Sequence, residues 1–106
     1  MFVARVHGHS MEPKILSDSW CLFRKCPAGS REGRILMIQF HSMTDPENGG
    51  RYTVKKYHSE KIVSQDEWSH QIIELRPLNP AYNPIPVNEH EAGNLLVVGE
   101  FLEIVG

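Results

Sequence analysis

The chain has 106 residues, 41% of them hydrophobic and 23% charged, with 11 Lys and Arg against 13 Asp and Glu for a net charge of -2. This balance predicts one compact domain over residues 1–106 and excludes a disordered polar chain, a basic nucleic-acid platform and long-range attraction to anionic membranes. Apolar runs such as Ile35 to Ile38 fall far short of the roughly 20 residues that span a bilayer, and no secretory signal pattern opens the chain. The expectation is a cytoplasmic protein whose two cysteines, Cys21 and Cys26, are reduced thiols without the second pair a zinc site needs.

In chain order, Phe2 to Val6 alternates as a strand does, and Met11 to Leu16 can form one helical turn with Ser10 as its N-cap, because Glu12 and Pro13 suit a first turn. Trp20 to Arg24 is a second strand. Arg34 to Phe40 is a third, apolar enough to be covered on both faces. The turn-rich segment Ser42 to Gly50 should join it to Arg51 to Tyr57 as an antiparallel hairpin. Lys61 to Ser69 reads as a polar excursion and Gln71 to Leu75 as a further strand. Pro77 to Pro86 holds four of the seven prolines and reads as an extended packing arm, since proline cannot donate to a ladder. Leu95 to Val105 closes the chain as a long strand bent or bulged at Gly99. The fold class is mostly β, with at most one short helix.

HGHSMEP, from His7 to Pro13, places Ser10 where the first strand ends. A serine there caps a helix, fills a turn or attacks a carbonyl, and attack requires a base. None of the six histidines, His7, His9, His41, His58, His70 and His90, has an acid partner at telling spacing. RYTVKKY offers lysine instead. A free lysine, with a pKa of about 10.4, is protonated at neutral pH and serves as a base only where burial lowers that value. Alternation sends Lys55 and Lys56 to opposite faces, so one of the two can be buried, and the pattern alone does not say which.

GHSMEP followed by KIL, then GRYTVKKY, LRPLNPAYNPI and the closing VVGEFLEIV occur in order over nearly the whole chain. Together they resemble the C-terminal peptidase domain of LexA-type and phage-repressor proteins, related to UmuD and more distantly to signal peptidases. The resemblance implies strongly bent antiparallel sheets and a Ser-Lys dyad without cofactor or metal. It matches Ser10 to the nucleophile, Lys55 to the general base and Lys56 to a non-catalytic neighbour. The backbone N–H groups of His9 and Ser10 would form the oxyanion hole. Two positions depart from the family pattern: Ser17, Asp18 and Ser19 stand where Asp-Gly-Asp is common, and His9 stands where Asp or Met is common.

Only eight residues separate Met1 from Ser10, so the expectation is a peptidase domain without a DNA-binding headpiece, cutting a peptide or protein substrate in trans or as a fragment of a larger repressor. A regulatory setting of the SOS or prophage kind goes with the resemblance, which leaves room for a RecA-type activator. Leu95 to Val105 is the candidate surface for a homodimer. The alternative is a non-catalytic dimerisation or regulatory module keeping the peptidase fold. Met11 reads as a core anchor, His7 and His9 as an incidental pair rather than metal ligands, and Arg24, Lys25, Arg31 and Arg34 as a solvated face.

Overall fold

A computed structural model describes residues 1–25, 29–63 and 69–106, so Cys26 and the middle of the expected polar excursion lie outside the described residues. The elements are β1 (Phe2–Val6), β2 (Ser19–Arg24), β3 (Ile35–Gln39), β4 (Tyr52–Val63), β5 (Ser69–Arg76), β6 (Ile85–Val87), α1 (Glu89–Ala92) and β7 (Leu96–Ile104). All seven strands join one antiparallel sheet in the order β1-β2-β7-β3-β4-β5-β6. The mostly β reading with one short helix holds. No helix among the described residues is long and apolar enough to cross a membrane.

The alternation of β3 organises two cores. Leu36, Ile38 and the following Phe40 enter a cluster with Tyr57, Ile73, Leu75 and Ile85. Ile35 and Met37 pack instead against Val6, Met11, Ile15, Cys21, Phe23 and Val54. A strand covered on both faces needs the near-continuous apolar run that Ile35 to Ile38 supplies. Burial disfavours the Cys21 thiolate and pushes that thiol up.

Two register shifts bend the sheet around these cores. On β7, Gly99 pairs with Met37 and Val97 with Ile38, leaving Val98 as the extra residue. Farther on, Phe101 pairs with Phe23 and Glu103 with Leu22. Gly99 is required by close approach, since a Cβ there would lie 2.9 Å from the Phe2 ring and 3.1 Å from the Arg24 carbonyl oxygen.

Three sequence expectations need correction. Met11 to Leu16 is a hydrogen-bonded turn that does not grow into a helix: Ile15 N–H donates to the Met11 carbonyl at 3.0 Å, and the Glu12–Pro13 bond is cis. The helix is α1, capped by Asn88, whose side chain accepts the Glu91 N–H. The strand starting at Tyr52 does not end near Tyr57 but runs on to Val63, because β5 pairs with it from Arg76 opposite Lys56 to Ser69 opposite Val63. The proline arm ends in β6, where Pro86 lies opposite Glu74 on an edge strand, a position that tolerates the missing donor.

Candidate active site

After β1 the backbone reverses at Gly8, whose φ of +97° is open to glycine at no steric cost. Ser17 Oγ accepts the Gly8 N–H at 3.0 Å, and Asp18 N–H donates to the Val6 carbonyl at 2.7 Å. Met11 and Ile15 drop into the core from this turn, which confirms Met11 as an anchor and leaves Ser10 at the rim. Its carbonyl accepts N–H bonds from Leu78 and Asn79 at 3.0 and 2.9 Å, while the Asn79 side-chain amide donates to the His9 carbonyl at 3.0 Å. A trans peptide holds its C=O and N–H antiparallel, so fixing the His9 carbonyl on the arm turns the Ser10 N–H the opposite way. The arm is thus more than packing scaffold, because Leu78 and Asn79 orient the serine turn.

Lys55 is buried by its register. It lies opposite Leu36, and Thr53 lies opposite Ile38, two side chains with no exposed surface. Lys56, one residue on, is exposed. Lys55 retains 4% exposure, Ser10 5% and Asp45 1%. Lys55 Nζ donates to Thr53 Oγ1 at 2.8 Å and to Asp45 Oδ2 at 3.4 Å, and the Thr53 hydroxyl donates to the same Asp45 oxygen at 2.5 Å. Asp45 Oδ1 accepts the N–H groups of Glu47 at 2.7 Å and Asn48 at 3.2 Å. Burial pushes the Asp45 carboxyl up, but the Thr53 hydroxyl, the Lys55 charge and the two amides together hold it below the usual carboxylate range.

Ser10, Asp45 and Lys55 form a wall shared by two cavities. One, of about 110 Å³, extends toward Val6, His7, Met37 and Tyr52. The other, of about 340 Å³, extends between Glu47 and the arm residues Ala81 to Pro86. A chain crossing this wall would pass the serine and the lysine with space on either side. The lysine's hydrogen bonds among the described residues run to Thr53 and Asp45, and none runs to Ser10 Oγ.

His9 N–H, one of the two expected oxyanion donors, is engaged by Glu47 Oε2 at 2.9 Å. The other Glu47 oxygen lies over Gly8, where an added Cβ would sit 2.2 Å from it. The Glu47 carboxylate first, then burial and the charge of Glu12, push the Tyr82 phenol up.

The two N-terminal histidines diverge. His7 Nδ1 meets Asp18 Oδ1 at 2.7 Å, and His9 Nδ1 meets Glu12 Oε1 at 2.9 Å. No group of metal-ligating side chains occurs among the described residues. Arg24 and Arg34 are not wholly solvated, since both reach Glu100, at 2.6 and 3.2 Å. Sequence reasoning missed Asp45 and Glu47, which lie in a segment whose composition signals only a turn, and gave Thr53 no task of its own. The Asp-Pro-Glu-Asn string was the one available signal, and it points equally to a solvent loop.

Among protein families, the model described as Peptidase S24-like matches residues 1–102. No curated protein matches the chain.

Proposed function

The chain belongs to the Peptidase S24-like family, and from that premise we propose that it hydrolyses peptide bonds with a dyad of Ser10 and Lys55. Ser10 Oγ attacks the carbonyl carbon, neutral Lys55 takes the hydroxyl proton and returns it to the leaving amine, and water completes hydrolysis of the ester. The N–H groups of His9 and Ser10 hold the oxyanion. One observation carries the reading: a serine and a lysine, both nearly inaccessible, border the same pair of cavities. The substrate is an extended peptide crossing that wall, with its larger side chain toward the arm. The setting is regulatory, with cutting in trans or within a larger repressor. A homodimer would use the exposed Leu102, Ile104 and Val105 rather than add a strand alongside β7, which β2 and β3 flank.

A second reading, a non-catalytic module of the same fold, is favoured by the Lys55–Asp45 ion pair, because an ammonium has no lone pair with which to accept the serine proton. Incubation with a diverse peptide library and mass-spectrometric reading of new termini separates the two. Wild type should generate cleavage products, and Ser10→Ala should lose at least about 10³-fold of that rate while keeping its thermal midpoint. Undiminished products from Ser10→Ala would reject the dyad; none from wild type would favour the second reading.

A further inference from the structure

Glu47 is placed where a reaction intermediate would have to be. Its carboxylate takes the His9 N–H at 2.9 Å and lies on the bare Cα of Gly8. The same side chain borders the 340 Å³ cavity together with Ser10 and Lys55. A carboxylate oxygen carries negative charge and accepts N–H bonds as the oxygen of a tetrahedral intermediate does, so the two compete for one donor.

We propose that Glu47 is a built-in plug of the oxyanion site, occupying the His9 N–H in the resting protein and leaving when a substrate carbonyl enters. This rests on the dyad reading above. The loop carrying Glu47 is fixed independently of the plug: Asp45 Oδ1 holds the Glu47 and Asn48 N–H groups, and Asp45 N–H donates to the Gly50 carbonyl at 2.7 Å. The carboxylate can therefore swing away by side-chain rotation, with the loop backbone still stapled. One short segment thus restrains both halves of the chemistry, with Asp45 on the lysine and Glu47 on the donor.

The test is the rate at which a fluorophosphonate probe labels Ser10 in the intact protein, located by peptide mapping, with Ser10→Ala as the unlabelled control. Labelling forms the Ser10 Oγ–P bond and expels fluoride, and the phosphoryl oxygen needs the same N–H donors. Freeing one donor should speed labelling of Glu47→Ala at least about tenfold over wild type. Glu47→Gln, whose amide oxygen still accepts the His9 N–H, should fall between the two. Equal rates in all three proteins, each labelled at Ser10, would overturn the plug and leave the dyad standing. Equal acceleration in the Gln and Ala variants would make the effect one of charge alone and overturn occupancy of the donor. No labelling of Ser10 in any of them would overturn the dyad and the plug with it. Should Glu47→Ala fail to fold, the Gln variant decides, because a rate no greater than that of wild type overturns the proposal.

Discussion

Asp45 and Glu91 are two buried carboxylates that fix opposite ends of the loop between β3 and β4, and each accepts four hydrogen bonds. Glu91, on α1, receives the N–H groups of His41, Ser42 and Met43 at 2.6, 2.8 and 2.8 Å and the Ser42 hydroxyl at 2.8 Å. Asp45 receives two N–H groups, one hydroxyl and the Lys55 ammonium. Burial pushes Glu91 up, yet its neutral donors more than offset that and bring it from an ordinary 4.5 down to about 2. Neutral donors alone can therefore keep a buried carboxylate ionised. Asp45 has three neutral donors and takes the Lys55 cation as its fourth partner, and what further distinguishes the Asp45 end of the loop is the serine and the cavities next to it. Glu91 clamps a loop; Asp45 clamps a loop and the buried Lys55 side chain.

Removing the cation puts the comparison under the greatest stress. Lys55→Met should end Ser10-dependent cleavage and cost about 3 kcal/mol in urea unfolding, because it leaves Asp45 buried without its counter-charge. Adding Asp45→Asn should recover most of that stability and none of the activity. A cost below about 1 kcal/mol for Lys55→Met would mean that Asp45 behaves just as Glu91 does.

The complementary change is at Glu91. Glu91→Gln turns an amide N–H₂ toward donors that need an acceptor, and should lower stability by about 2 kcal/mol while Ser10 labelling stays at the wild-type rate. Its pH signature follows from linkage. Between 4.5 and about 2 the unfolded chain binds a proton at Glu91 that the folded chain does not, so this stabilisation is fully present above 4.5 and is lost as pH falls toward 2. Asp45, also depressed, adds a contribution of the same sign below its ordinary 3.8. Urea midpoints measured against pH should therefore fall steeply on acidification in wild type and less steeply in Glu91→Gln. Parallel slopes would contradict the assignment of that acid.

What the sequence made legible follows the same division. Strands with a clear apolar pattern announced themselves: Phe2 to Val6 has its observed bounds, and Arg34 to Phe40 exceeds β3 by one residue at each end. Ser10 and Lys55 were legible through the family resemblance, and the side-chain period allowed one buried lysine. Asp45 and Glu47 were not, because a turn-rich segment reads as solvent loop until its long-range partners are known, and Thr53 and His9 are met only in the folded chain. Asn79 sat within a quoted motif, yet its hold on the His9 carbonyl is 70 residues distant. The helical turn expected after Ser10 is a hydrogen-bonded turn that extends no further, with Ile15 N–H donating to the Met11 carbonyl.

The smallest expected effect falls on Lys56, and its size is the point. It is covalently next to Lys55, carries the same side chain and pairs with the same strand, opposite Ile35 where Lys55 lies opposite Leu36. The pleat alone separates them, sending one ammonium to Asp45 and the other to water. Lys56→Ala should leave cleavage and Ser10 labelling at wild-type rates and shift stability by no more than about 0.5 kcal/mol, as exposed substitutions do. A loss of activity approaching that of Lys55→Met would mean that the positive charge of the strand, rather than one buried amine, serves the serine. The contrast between the two ends of the loop would then rest on the wrong residue.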